Sequence, residues 1–489
     1  MKFLEKVFGL KKHNTTVKTE IIGGLVTFIA MCYILPVNAG ILSKMGMDSA
    51  GIFVSTAIVG CIVTLIMGLV ANYPVVLSAG MGLNAYITYS VALGFGFSWQ
   101  EAMILLTITG ILFFVLSLTP VRRIIIETIP KDIKLIISAG LGAFICFVGL
   151  KNAGIIVTAA TIGPNETIIP GTLVQLGNLY QPAVLIALLG IVLAFGLMFA
   201  KKSMISKMAI PIAILFTAIV GTVTYIIMAN TGANADLMEG LPKAPWMDDT
   251  ISGMWGGQGL QNVIFFGYVG NDVPTKPFGD MLLDVLANPG SYVAIFSMIF
   301  VNLFDTTSTL LAIGKDTGII DKEGKMQNYN KAVLADATGA LICAPLGTST
   351  VTSFAESGVG VSLGAKTGLA AVTAAGMFLL SAFIYPVFSI FTYGCVTAPA
   401  LVAVGAMIFI GNFKDINFND KIAAFTGFLT VIMILLTYSI SYGLGIGLIA
   451  YCVMMLFARR GKEVSPVTYV ITGLFFIAFA ANEIIKFIK

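Results

Sequence analysis

LSAGMGLNAYITYS, residues 77–90, lies between two long apolar runs, where a membrane-crossing helix belongs. It follows Pro74 and carries glycines, serines, a threonine and Asn84. Hydrocarbon offers no partner to a free N–H or C=O. Irregular backbone at membrane depth therefore survives only where protein buries it or where it lines a cavity. A second stretch of the same kind, GTSTVTSFAESGVGVSLG, spans residues 347–364 and carries Glu356. Pro74 precedes Asn84 by ten residues, and Pro345 precedes Glu356 by eleven. Two interrupted spans at matching positions in two halves of a chain point to the binding site of a transporter.

The surroundings of these stretches are those of a polytopic membrane protein. The chain has 489 residues, 57% hydrophobic and 11% charged, with a mean hydropathy of +0.96. A soluble domain carries roughly 25% charged residues. A net charge of +4 is too small to suggest nucleic acid as a partner. The six cysteines show no CxxC or Cys/His spacing, so neither a metal site nor a disulfide framework is expected. The single histidine, His13, lies on the polar N-terminal arm, which leaves intramembrane proton handling to other groups. The Lys-rich first 20 residues lack a small-residue cleavage site, so the first apolar run is expected to stay as a span.

Runs of about 20 apolar residues mark spans. They cover 21–43, 50–71, 100–119, 132–150, 181–200, 206–229, 291–313, 368–390 and 396–411, with 331–346, 421–437, 438–457 and 466–487. Together with the interrupted segments 74–90 and 347–364, fourteen of these are expected to cross. With the N-terminus cytoplasmic, Arg122, Arg123, Lys201, Lys202, Lys315, Lys322, Lys325, Lys366 and Lys414 fall in the inner loops. The outer 230–290 loop is acidic, with Asp236, Glu239, Asp248, Asp249, Asp272, Asp280 and Asp284. Segment 466–487 has basic flanks and is expected at the cytoplasmic interface. Seven segments per half, an odd number, make the two halves inverted repeats.

Ionisable groups inside spans are functional candidates by default. Asp305 lies mid-span in IFVNLFDTTSTLLAIG (299–314), among Thr306, Thr307, Ser308 and Thr309, with Asn302 about one turn earlier. Glu356 lies in the second interrupted segment. Asp336, nearer a helix start, reads as capping or packing, and Lys366 as a side chain reaching for the interface. Asn84 is expected to face the cavity opposite Glu356, although it could instead satisfy its own broken backbone. The hydroxyls of Ser349, Thr350, Thr352 and Ser353 carry the same two readings. Phe28, Tyr33, Tyr86 and Phe354 are packing residues by default, and any of them facing the cavity is placed to stack on a planar ligand. Two carboxylates with an amide and no cation prefer a ligand that donates hydrogen bonds. Carboxyl groups removed from water hold their protons more tightly, which suits proton-coupled uptake.

At these residues the sequence resembles the nucleobase–cation symporter-2 superfamily, in its adenine/guanine/hypoxanthine permease branch. TEIIGGLVTFIAMCYILPVNAGIL (19–42) is the N-terminal match, and SAGMGLNAYITY resembles a GMGLNAY-type signature. LFDTTSTL is similar to FDTTGTL, GTSTVTSFAESGVGVSLGAKTGL to GTSTTTxYxESxxGxxxGGRTGL, and ILLTYSISYGLGIGLIAY to the branch's C-terminal pattern. The likeness runs over most of residues 15–480. Departures are Ser308 for the usual Gly, Asn302 where many members have an acid, Ala365 and Lys366 for Gly-Arg, and Ile434 and Leu435 for Met-Pro.

The resemblance implies an all-α fold of 7+7 inverted repeats, with short strands in interrupted segments 3 and 10. It divides the chain into an arm (1–20), core (21–119 and 291–390), gate (120–230 and 391–458), extracytoplasmic loop (231–290) and C-terminal helix (459–489). It implies a multi-pass cell-membrane purine permease in which core moves against gate, with the proton as coupling ion and no cofactor or metal. Asp305 and Glu356 would bind the purine and handle the proton. Asn84 would orient the site, Gly82 would permit close backbone approach, and Thr352, Ser353 and Phe354 complete the candidate set. Members often dimerise through the gate, and no stretch here marks such an interface. Xanthine, urate or uracil transport on the same fold, and uncoupled transport, are the alternatives. An enzyme is not expected: GVSLG (360–364) has the letters of a nucleophile motif without a soluble strand or a histidine beside it.

Overall fold

The computed structural model describes residues 2–119, 122, 130–158, 160–162, 168–170, 174–201, 203–232, 234–243, 263–267, 276–317, 328–354 and 356–488. Arg123, Lys202, Lys322, Lys325, Asp248, Asp249 and Asp272 lie outside them. A short helix α1 (Lys2–Phe8) leads into α2 (Val17–Met31) and α3 (Ile34–Leu42). The break at Cys32–Tyr33 has its cause in Pro36. Proline has no N–H to give to the Cys32 carbonyl, and its ring crowds that carbonyl. Asp48 then caps α4 (Ser49–Ile66), accepting from the Gly51 amide at 2.7 Å.

Residues 74–90 do not form a straight helix. They hold strand β1 (Leu77–Ala79), the short helix α5 (Met81–Ala85) and widened π-helical turns over Tyr86–Ala92. A capping box of Ser98 and Glu101 opens α6 (Trp99–Leu118). α7 (Lys131–Asn152), α8 (Pro182–Met198), α9 (Ala209–Thr231), the short α10 (Phe278–Ala287), α11 (Pro289–Thr317) and α12 (Tyr329–Ile342) follow. The second interrupted segment then mirrors the first, with strand β2 (Val351–Ser353) and short helix α13 (Ser357–Ser362). The chain ends with α14 (Gly368–Ser381), α15 (Gly394–Phe413), α16 (Lys421–Thr437), α17 (Ile440–Phe457) and α18 (Pro466–Ile488).

The protein is a helical, polytopic membrane protein. Among the described residues, eight helices are long and apolar enough to cross a bilayer, and α8 and α16 are shorter apolar helices. The run 368–390, expected as one crossing, bends by 94° between α14 and the helical turns Tyr385–Phe391. Pro386 is the physical reason, since its ring crowds the Ala382 carbonyl while suiting the first turn of a new helix. Helix α18 packs against α17 and α11, burying Ile471 and Phe475.

Two sets of helices pack chiefly within themselves. In one, α14 lies against α2 and α4, and α12 against α6 and α4. In the other, α15 lies along α7, with α8, α9, α16 and α17 around them. The strand pair sits inside the first set. β1 and β2 run antiparallel, pairing Leu77 with Ser353, Ser78 with Thr352 and Ala79 with Val351. The ladder extends through Gly80 N to Thr350 O at 2.9 Å and Phe354 N to Val76 O at 3.0 Å. Each interrupted segment thus supplies the backbone partners that lipid withholds from the other.

Candidate functional site

Most of the candidate residues meet at one cavity beside the strand pair. Its volume is about 620 Å³, and it is lined by Asp305, Glu356, Gly82 and the run Thr352–Phe354, among others. Asp305 projects from α11, and its Oδ2 accepts from Thr352 Oγ1 at 2.8 Å. Glu356 sits just before α13, and its Oε1 accepts from the Tyr33 hydroxyl at 2.6 Å. Both carboxyl groups are half-buried. Ser353 Oγ finds no partner among the described residues. Apolar walls come from Ala30, Leu141, Ile145, Val301 and Phe354, which gives the mixture of apolar surface and few polar groups typical of small-molecule pockets.

Gly82 stands where the two helix sets meet. A Cβ there would run into the Leu141 side chain of α7. Asn84 does not line the cavity, contrary to expectation. It is wholly buried, and its Nδ2 donates to Asn38 Oδ1 at 2.9 Å. The reason is helical geometry: residues two apart on α5 point to opposite sides, so Gly82 and Asn84 cannot share a face. Asn38 in turn donates to Thr56 Oγ1 at 2.8 Å and Thr348 Oγ1 at 2.9 Å, and accepts from Ser349 Oγ at 3.1 Å. Asp336 is also wholly buried, in mid-α12 rather than at a helix start, and accepts from Thr306 Oγ1 at 2.9 Å. Asn302 is buried beside the site without lining it. Asn38, a lone amide in an apolar run, carries no site signal in the sequence, and Tyr33 reads there as a packing or stacking ring, not as the hydrogen-bond partner of Glu356.

The cavity is one-sided. It runs out to Met198 and Asn412, at the ends of α8 and α15, and to Ser206 and Lys207 between α8 and α9. There the Lys207 ammonium contacts the Ser362 hydroxyl across the two helix sets. The opposite end is shut. The Tyr438 ring packs on Tyr89 and Phe144 at 5.6 and 5.4 Å between centroids, under Lys151 Nζ at 4.3 Å. Ser90 Oγ donates to the Tyr438 carbonyl and the Tyr89 hydroxyl to Asn152 Oδ1, both at 2.7 Å, and Tyr86 joins Ser441, which bonds Ser297. Beyond this closure lies a second cavity of about 790 Å³, rimmed by Glu101, Lys276 and Asp284. Lys276 Nζ lies 3.1 Å from Glu101 Oε1 and 2.7 Å from Asp284 Oδ2, which holds Asp284 below the ordinary carboxylate range.

Comparison with known proteins gives this arrangement a family. The sequence matches the xanthine/uracil permease model, described as "Permease family", over residues 18–446. The chain belongs to this family, the nucleobase–cation symporter-2 permeases. The permease is 35% identical to the guanine/hypoxanthine permease PbuO of Bacillus subtilis, across 96% of its own length and 99% of that protein. It is 32% identical to the adenine permease AdeP of Escherichia coli, across 97% and 95% of the two chains. Its fold is similar to the transmembrane domain of the cyanobacterial bicarbonate transporter BicA, with a TM-score of 0.57 and 14% identity over 86% of this permease and 96% of that domain. These relatives are transporters, as this permease is by family, and not enzymes.

Proposed function

We propose that this permease carries purine nucleobases (adenine, guanine or hypoxanthine) across the cell membrane together with protons. The observation that carries the reading is the placement of Asp305 and Glu356 on one half-buried cavity beside the crossed strands. A carboxylate accepts from a ring N–H and a neighbouring exocyclic amine together. Ser353 and Phe354 line the same cavity, and Phe354 gives it a flat apolar face. The guanine/hypoxanthine and adenine permeases among its relatives support the purine class.

Fourteen crossings in two inverted halves, with an N-terminus in the cytoplasm, fit the paired strand-and-short-helix segments. In that frame the helix set holding the strands is the core, and the set built on α7 and α15 is the gate. The cavity then opens inward, towards Lys207, and the Tyr438 closure faces outward. Transport follows as the core slides against the gate, breaking one closure and making the other. Each proton brought in gains about 2.3 kcal/mol per 100 mV of membrane potential, enough to drive accumulation.

The test is uptake of labelled adenine, guanine and hypoxanthine in cells lacking their own permeases, with and without a protonophore. Saturable uptake that the protonophore suppresses is expected, with Asp305→Ala and Glu356→Ala each inactive at normal surface levels. Uptake of none of the three purines overturns the substrate class. Uptake indifferent to the protonophore overturns the coupling.

A further inference from the structure

We propose that Tyr33 is a positioning residue for Glu356, holding its carboxyl group in both protonation states and thereby setting the pH range in which the permease binds its purine. This rests on the reading of Glu356 as the group that meets purine and proton. The geometry comes from the break in the first segment. Pro36 interrupts the helix at Cys32–Tyr33, and Tyr33 there turns its hydroxyl onto Glu356 Oε1 at 2.6 Å. Tyr33 is 4% exposed and is not part of the cavity lining, whereas Glu356 is. Phenol and ligand therefore reach the carboxyl group from different sides.

A phenol is both donor and acceptor. With Glu356 charged, the Tyr33 O–H donates to it. With Glu356 protonated, the carboxyl O–H donates and the phenol oxygen accepts after one rotation about C–O. Neither state leaves a buried polar group unpaired, so the proton comes and goes without repacking. Among the described residues, the other titratable groups around the Tyr33–Glu356 pair are Cys32 beside Tyr33, Asp305 on α11, and Lys207 at the cavity mouth. Asp305 opposes a second negative charge, and the Tyr33 hydroxyl offsets that opposition. Tyr33→Phe removes the donor, so the charged form loses ground and the pH midpoint moves up. The shift expected for one charge-assisted hydrogen bond is about one pH unit.

The experiment measures binding of labelled adenine, guanine and hypoxanthine to the purified full-length permease across the acid-to-alkaline range. Wild type, Glu356→Gln, Tyr33→Phe and a difluorotyrosine at position 33 are compared. A pH-dependent wild type with a flattened Glu356→Gln establishes the underlying reading. On that background, an alkaline shift in Tyr33→Phe and an acid shift with difluorotyrosine, a stronger donor, are expected. A Tyr33→Phe midpoint equal to wild type overturns the role of Tyr33 and leaves Glu356 standing. A wild-type pH profile in Glu356→Gln overturns the underlying reading instead. Should Tyr33→Phe fail to fold, the difluorotyrosine protein decides, and an unmoved midpoint overturns the proposal.

Discussion

Asn38 joins both interrupted segments, and its loss has a predictable size. The side chain is wholly buried and makes four hydrogen bonds, to Thr56, Thr348, Asn84 and Ser349, at 2.8–3.1 Å. Polar side-chain bonds inside membrane proteins average about 0.6 kcal/mol, so four are worth roughly 2.4 kcal/mol. Asn38→Ala does not orphan every partner. Thr56 and Thr348 keep each other at 2.8 Å. Asn84 fares worse: its Oδ1 already lacks a partner among the described residues, so its whole amide becomes unpaired there. A buried donor left alone costs about 1–3 kcal/mol. The three other bonds at about 0.6 kcal/mol each, plus that cost, make a total loss of about 3–5 kcal/mol. In a chain of this length that lowers the apparent melting temperature of the purified protein by about 2–5 °C. Asn84 shares α5 with Met81 and Gly82 of the cavity wall, so KM for purine uptake should rise about tenfold, equivalent to roughly 1.4 kcal/mol. Adding Asn84→Ala should cost little more, because the two single changes remove the same bond. A variant that melts with wild type and keeps its KM, or a double variant whose losses simply add, refutes the reasoning.

Further outcomes follow from the same geometry. Gly82→Val puts side-chain carbon into Leu141 and should block uptake at normal expression, with Leu141→Ala restoring part of it; no rescue would separate Gly82 from the contact between the helix sets. Tyr438→Ala removes the ring that Tyr89, Phe144 and Lys151 surround. A single cysteine placed at Ile145 should then react with a charged thiol reagent applied from the Glu101 side, and equal labelling with Tyr438 intact would show that this closure does not seal. Glu20 is fully buried and accepts from the Lys366 and Thr367 amides at 2.8 and 3.2 Å. Glu20→Ala should lower thermal stability by about 1–3 kcal/mol without changing which purine competes best, and an altered purine preference would contradict a purely structural role.

Much of the fold could be read before the structure because the membrane makes exceptions conspicuous. Segments 77–90 and 347–364 break the apolar rule, and they do pair, through strands at Leu77–Ala79 and Val351–Ser353. Asp305 and Glu356 stood out as charges in apolar runs, and both reach the cavity. What escaped was direction. Asn84 was legible as polar, but only the start of α5 at Met81 decides that Gly82, not Asn84, meets the cavity. Tyr33 and Asn38 belong to the apolar-looking stretch 32–38, and the signal was Pro36, which marks a break in the run 21–43. Pro386 marked the bend in 368–390 in the same way. Tyr438 showed only as one letter of the C-terminal motif, since its importance depends on rings from two other segments.

The central claim is that Asp305 and Glu356 together form the purine site. Equilibrium binding of labelled guanine, hypoxanthine and adenine to the purified protein, beside Asp305→Asn and Glu356→Gln, tests it most directly. The account predicts saturable wild-type binding of at least one purine, displaced by excess unlabelled purine, and a loss of at least about tenfold in each variant, or roughly 1.4 kcal/mol. Purine binding of wild-type strength in both variants, with all three proteins equally well folded, would contradict it.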